Sequence, residues 1–151
     1  MFRTAFVSVT ALLLVCIGVA EPMGAQPTRK PAEIDVISND YAFLPLPANI
    51  AAGPTIFTFE NQGKVWHEVN IARLKPGATL EEFTKADAPR RRDLIERSVG
   101  ILIGGPGNRP DGRILVNLVK GSTYVAYCNF KDTPEAPAHL TLGMYKTFTP
   151  R

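Results

Sequence analysis

Short stretches in which polar and apolar residues alternate run through most of this chain, and they constrain its fold more than any other feature. Alternate side chains of a strand point to opposite faces, so this pattern is typical of β-strands with one buried and one solvated side. Glycine, proline and asparagine separate the stretches. The predicted strands are residues 33–38, 55–59, 68–74, 113–119, 122–128 and 140–149. They predict an all-β fold, an antiparallel sandwich in which each sheet has one wet face.

Residues 75–99 interrupt this pattern. Thr79, followed three residues later by Glu82, is the signature of a capping box at the start of a helix, with Phe83 facing inward. The later segment RRRDLIERSV is compatible with a second short helix. We therefore predict a short, partly helical insertion around residues 75–99.

The first 25 residues have the order of a secretory signal. One positive charge, at Arg3, precedes the apolar run AFVSVTALLLVCIGVA, and small residues suited to cleavage lie at its end. A transmembrane anchor is the alternative, but the run is shorter than the roughly 20 apolar residues of a spanning helix. We predict a signal peptide over residues 1–25, cleaved after Ala20 or Ala25, and one domain over residues 26–151. The protein is then exported, to the periplasm or the extracellular space, with no membrane span in the mature chain.

The charge of the chain does not indicate nucleic-acid binding. The net charge is +3, and no stripe of lysine and arginine is interleaved with aromatic residues. The arginines at positions 90–92 are expected to form a solvated face, and docking to an acidic redox partner is the alternative.

Cysteine is scarce, and this scarcity needs an explanation. The chain has two cysteines, and Cys16 leaves with the predicted signal. Cys128 then has no internal partner for a disulfide in an oxidising compartment. A lone exported thiol is oxidised or cross-linked unless it is buried or bound to a metal. Cys128 is therefore a candidate metal ligand.

The remaining sulfur and imidazole side chains are nearly as scarce. If cleavage follows Ala25, the mature chain keeps one cysteine, two histidines and one methionine, which are Cys128, His67, His139 and Met144. Two imidazoles and a thiolate in a trigonal plane, with a weak axial thioether, form the blue copper electron-transfer site. Soft sulfur donors favour Cu(I), and imidazole suits both oxidation states. We predict one mononuclear copper ion held by these four residues.

Each of these residues also has an ordinary structural interpretation. A histidine in a strand is more often a core or surface residue than a ligand, and a lone buried cysteine usually acts as a small hydrophobe. Met144 would suit core packing equally. Trp66 and Phe130 beside the predicted ligands would form a hydrophobic shell around the metal, or be ordinary core aromatics.

The pattern resembles the cupredoxin (plastocyanin/azurin-like) family. A histidine follows an N-x-G turn, a later strand ends in Tyr-x-Cys, and a histidine and a methionine follow. The resemblance covers roughly residues 33–149. It implies an eight-strand Greek-key β-barrel or sandwich and one type 1 copper with His67, Cys128, His139 and Met144 as ligands.

Two features depart from that family. Ten residues separate Cys128 from His139, where small electron-transfer members have only a few. Glu68 follows the first histidine, where well-known members often carry an asparagine that braces the cysteine loop. The surroundings of the ligands are therefore expected to be built differently here, and such surroundings tune affinity and potential.

Residue counts exclude several other copper activities. Multicopper oxidases need many histidines, and this chain has two; a dinuclear purple centre needs two cysteines. Structural zinc gains nothing from methionine. A cysteine nucleophile with a histidine base is not excluded by spacing, but no third residue obviously orients that base. We predict a monomeric electron-transfer protein, not an enzyme, that serves redox partner proteins. The alternative is a copper storage or delivery protein, or a cupredoxin-fold binding module without a redox role.

Overall fold

Eight β-strands form two four-stranded sheets in the computed structural model, which describes residues 29–151. In chain order the strands are β1 (Ala32–Asn39), β2 (Ala42–Phe43), β3 (Gly53–Asn61), β4 (His67–Leu74), β5 (Ile95–Gly104), β6 (Ile114–Leu118), β7 (Tyr124–Tyr127) and β8 (Tyr145–Phe148). The strand orders are β2-β1-β3-β6 and β5-β4-β7-β8. The predicted all-β sandwich with eight strands is confirmed.

The alternation in the sequence decides which side chains enter the main core between the two sheets. In β3, Thr55, Phe57, Phe59 and Asn61 are buried and the residues between them are half-buried. The buried apolar residues of this core are Ile34, Val36, Phe43, Ile50, Phe57, Phe59, Val69, Ile71, Leu102, Ile114, Leu118, Tyr124, Ala126, Cys128, Met144 and Phe148. The core therefore extends to two of the predicted ligands.

Two details of the predicted strands are wrong. β1 and β3 are parallel, with Ala32 opposite Thr55, because β2 and residues 44–52 carry the chain back to the end of the sheet where β1 begins. Residues 140–142 are not in a strand. They belong to a 3₁₀ turn, His139–Leu142, which ends at Gly143 with a φ of 101°, and β8 begins after it. A positive φ of this kind favours glycine.

The predicted helical insertion is present and contains two short helices, α1 (Leu80–Lys85) and α2 (Ala88–Asp93). The capping box forms as expected, with Thr79 and Glu82 bonded reciprocally, and Phe83 is fully buried. Its predicted end is wrong, because residues 95–99 belong to β5. Pairing with β4, for example Arg97 opposite Arg73, makes this segment a strand.

The two helices cover the outer face of the β5-β4-β7-β8 sheet, so that sheet does not have one fully wet face. A second core lies beneath the helices and consists of Ala72, Leu74, Phe83, Leu94, Val125, Tyr127 and Leu140. Arg91 holds the insertion together by donating hydrogen bonds to the carbonyls of Phe83 and Ala86 and to the side chain of Asn129. Arg91 is therefore a structural residue, whereas its neighbours Arg90 and Arg92 are exposed as predicted.

The predicted signal peptide, residues 1–25, lies outside the described residues. Within the described part of the chain, no helix has the length and apolar character needed to cross a bilayer.

Candidate metal centre

The topology of the second sheet brings three of the predicted ligands to one end of the sandwich. His67 is the first residue of β4, and Cys128 follows the last residue of β7. Because β4 and β7 are antiparallel, the start of one lies beside the end of the other, with Asn70 opposite Tyr127. β8 runs antiparallel to β7, so Met144, which precedes β8, reaches the same end.

The donor atoms of His67, Cys128 and His139 converge in the buried interior. The two Nδ1 atoms are 3.1 Å apart, and Cys128 Sγ lies 3.5 Å from His139 Nδ1 and 4.0 Å from His67 Nδ1. A circle through three points with these separations has a radius of about 2.1 Å, which matches metal–nitrogen and metal–sulfur bonds of about 2.0–2.3 Å. A single ion at its centre would therefore lie within bonding distance of all three atoms.

Backbone hydrogen bonds fix the loop that carries Cys128 and His139. The Cys128 amide donates to the Met144 carbonyl (3.2 Å), and the Leu140 amide donates to the Cys128 carbonyl (2.8 Å). The His139 amide donates to the carbonyl of Phe130, also at 2.8 Å. The ten intervening residues therefore leave the positions of the two ends of the loop well defined.

Met144 lies beside the three donors through its backbone. Its amide donates to the His139 carbonyl at 3.0 Å, and its side chain is fully buried in the main core. Its role as an axial ligand stays a prediction. Burial alone is equally compatible with packing, so the two roles need a functional test.

A Met144→Leu variant distinguishes these roles. Leucine conserves volume, so the free energy of unfolding should fall by less than about 1.5 kcal/mol. If the thioether is axial, the copper-loaded variant should keep its intense colour but change its reduction potential, because the axial ligand tunes that potential. An absorption spectrum and potential equal to those of the parent protein would limit Met144 to packing.

Glu68 braces the loop that carries Cys128, at the position where well-known members of the resembled family often have an asparagine. Its carboxylate accepts a hydrogen bond from the Asn129 amide at 3.0 Å and another from the Asn70 side chain at 2.6 Å. Its own amide points at Cys128 Sγ, 3.4 Å away. A carboxylate on β4 therefore ties down the residue next to the thiol, and a backbone amide donates to the sulfur itself.

We expect Glu68→Ala to weaken copper binding by about 10–100-fold, the usual cost of removing a group that supports a metal ligand. The Asn129 amide would lose its partner and the Cys128 loop its brace. Competition with a chelator of known affinity measures the effect. Glu33→Ala, on an exposed glutamate of β1, is the matched control. Equal affinities for the two variants would show that the brace does not support the site.

The outer nitrogens of both histidines face carboxylates, which the sequence did not predict. His139 Nε2 lies 3.2 Å from Asp132 Oδ1, and His67 Nε2 lies 3.8 Å from Asp40 Oδ1. Only the His139 contact is within hydrogen-bond distance, whereas the buried His67 Nε2 has no hydrogen-bond partner among the described residues. A carboxylate in hydrogen-bond contact with one ring nitrogen favours the proton there and leaves the other nitrogen its lone pair. The two Nδ1 atoms lie 3.1 Å apart beside a sulfur. A cation bound between the three donors would need the lone pairs of both Nδ1 atoms.

Burial sets the acid–base state of the donors in the metal-free protein. It lowers the pKa of His67, which the neighbouring His139 lowers further, so His67 is neutral and its lone pair is available. Burial raises the pKa of Cys128 to about 11. The thiol is therefore protonated at neutral pH until a metal replaces that proton.

The apparent copper affinity should consequently increase with pH. Below pH 11 binding must displace the Cys128 proton, and each unit of pH makes that displacement about tenfold easier. His67 adds little to the slope because it is already neutral. Competition titrations at several pH values near neutrality, together with the proton released on copper addition, check this. A copper affinity that does not change with pH would contradict thiolate ligation.

The aromatic neighbours of the ligands occupy different environments. Phe130 is half-buried and packs on the main core. Trp66 is 59% exposed, so its interpretation as a core aromatic is wrong, and a contribution to a hydrophobic shell stays a prediction. Trp66 immediately precedes His67, the first residue of β4. Because neighbouring side chains of an extended chain point to opposite sides and His67 points inward, Trp66 points outward.

Comparisons with known proteins agree with this geometry. No family model matches the chain, and neither does any curated protein sequence. Among solved structures, dithionite-reduced auracyanin from the photosynthetic bacterium Roseiflexus castenholzii is 20% identical with a TM-score of 0.55, covering 80% of this chain and 97% of that one. Auracyanin B is 19% identical with a TM-score of 0.56, covering 82% of this chain and 91% of that one. The chain has the cupredoxin fold, and its buried His-Cys-His group fits one type 1 copper ion.

Proposed function

We propose that this cupredoxin-fold chain is a mononuclear type 1 copper protein that transfers electrons between redox partners outside the cytoplasm. The observation that carries the proposal is the convergence of two imidazole nitrogens and one thiol sulfur at the buried end of the sandwich. His67 and His139 would supply nitrogen, Cys128 the sulfur and the covalent electron pathway, and Met144 the axial contact. Copper bound there would supply a one-electron couple.

The chain contributes a fixed and dry environment for that couple. His67 and Cys128 are 0% exposed and His139 is 1% exposed, so water has no access to the donors. The strands and the backbone hydrogen bonds of the loop hold the donor atoms in place. Donors that do not need to move between oxidation states allow fast electron exchange, and this fixed geometry favours electron transfer over storage or delivery. One of the solved cupredoxins named above was crystallised in a chemically reduced form.

The rest of the proposal concerns the setting of the protein. Export agrees with the N-terminal apolar segment and with a single thiol that a metal would protect. Redox partner proteins in the periplasm or extracellular space would deliver and collect the electron. The protein would act as a carrier and not as an enzyme, a role that agrees with the burial of all three donor side chains.

Voltammetry of the copper-loaded protein, combined with a chelator challenge, tests the proposal. A carrier of electrons should give a reversible one-electron wave, and its absorption spectrum should be unchanged after repeated oxidation and reduction. It should also keep its copper in both oxidation states when a chelator of modest affinity is added. Loss of copper from one oxidation state would instead identify a delivery protein. If no voltammetric wave appears, the protein is a cupredoxin-fold binding module without a redox role.

A further inference from the structure

A turn from the opposite sheet covers the two predicted histidine ligands. Tyr41 lies in the turn between β1 and β2, and its ring contacts both imidazoles edge-on, with centroids 5.0 Å from His139 and 6.2 Å from His67. Tyr41 has a φ of 60°, a conformation that residues other than glycine rarely adopt. Such a conformation is kept only where the surroundings stabilise it.

The hydroxyl of Tyr41 also fixes the carboxylate beside His139. It donates a hydrogen bond to Asp132 Oδ2 at 2.6 Å, and the other oxygen of Asp132 lies 3.2 Å from His139 Nε2. Asp132 comes from the long loop between Cys128 and His139, whereas Tyr41 comes from the other sheet. Both oxygens of the carboxylate are therefore engaged, and the group has one defined orientation.

This arrangement has two physical consequences for His139. A carboxylate at Nε2 keeps the proton on that nitrogen, so Nδ1 presents its lone pair to the interior. The carboxylate also places a negative charge on the far side of one imidazole from the three converging donors. A fixed negative charge stabilises the more highly charged of two metal oxidation states.

We propose that Asp132, oriented by Tyr41, is a positioning residue that sets the His139 tautomer and lowers the reduction potential of the bound copper. The proposal rests on the proposed function for its second part only. The long loop between Cys128 and His139 contributes to this arrangement, because it supplies the Asp132 carboxylate. Glu135, an exposed residue of the same loop, provides a matched control for charge alone.

The tautomer is tested without copper. Nitrogen-15 NMR of the metal-free protein should show His139 protonated at Nε2. In Asp132→Ala the hydrogen bond is lost, and the signals should shift toward a mixture of the two tautomers, while Glu135→Gln should leave them unchanged. A parent protein with His139 protonated at Nδ1, or an Asp132→Ala spectrum identical to that of the parent, would overturn the proposal even if copper binds as proposed.

The effect on potential is tested with Asp132→Asn, which keeps the size and one acceptor oxygen but removes the charge. The midpoint potential of the copper-loaded variant should increase, because Cu(II) loses more stabilisation than Cu(I). A tenfold loss in the preference for Cu(II) corresponds to about 59 mV for one electron. Glu135→Gln should shift the potential much less. Equal shifts in the two variants would show that Asp132 acts only through net charge, and would overturn this part of the proposal. A parent protein that binds no copper would instead refute the proposed function, but the tautomer result would still stand.

Discussion

Cys128→Ser should abolish the intense visible absorption that we expect copper to give this protein. That absorption arises from charge transfer between a thiolate and Cu(II), and a serine oxygen holds its lone pairs too tightly to give a comparable visible band. The variant should also lose affinity, because a hydroxyl oxygen is a harder donor than a thiolate and is much less readily deprotonated than a thiol. Titration of the metal-free protein with Cu(II), followed by absorption and by competition with a chelator, measures both effects.

The substitution is nearly isosteric, so loss of colour should not reflect loss of fold. Far-ultraviolet circular dichroism of Cys128→Ser should match that of the parent protein. Thr133→Ser, at an exposed position of the same loop, should keep the band. If colour and affinity both survive in Cys128→Ser, the three-donor centre is not where copper binds.

Phe83→Ala should lower the free energy of unfolding by about 3–5 kcal/mol, the usual cost of truncating a fully buried phenylalanine. Phe83 is 0% exposed, its ring packs edge-on against Tyr127 with centroids 5.1 Å apart, and the Arg91 guanidinium lies 5.7 Å from its centre. Because domains are typically stable by about 5–15 kcal/mol, the loss would be a large share of the total. Urea denaturation of the metal-free protein measures it.

The same experiment tests whether the helical insertion is part of the fold or an attachment to it. Phe83→Leu keeps an apolar side chain in the second core and should cost clearly less than Phe83→Ala. Tyr127 precedes Cys128 and Leu140 follows His139, so this core lies directly behind two of the predicted ligands. A change below about 1 kcal/mol in Phe83→Ala would show that the helices unfold separately from the sandwich.

Strands β1 and β3 could be predicted from the sequence because burial on one side leaves a period of two. β5 could not. Its residues Glu96, Arg97 and Ser98 are exposed at the edge of the sheet, so the first half of the strand has no apolar period. This part of β5 is a strand because it forms hydrogen bonds with β4, and such pairing leaves no pattern in the local sequence. The parallel pairing of β1 and β3 likewise depends on where the intervening chain runs.

The candidate ligands could be predicted because they are scarce and chemically distinctive, and the structure brings His67, Cys128 and His139 together. The groups around them could not. Asp40 and Asp132 are two of many acidic residues, and only the closed fold places them beside imidazoles. Glu68 departs from the family pattern in the sequence, but its bond to the Asn129 amide forms only in the folded chain, where β4 lies beside the Cys128 loop.

The covered imidazoles have a consequence for copies of this protein that meet one another. Because Tyr41 contacts both rings and Asp132 lies beside His139 Nε2, the ring edges of the proposed copper ligands should not meet when two molecules collide. Self-exchange of electrons in a mixed population of oxidised and reduced molecules should therefore be slow. Each molecule would hold its oxidation state until it meets a different protein whose surface reaches the metal by another path.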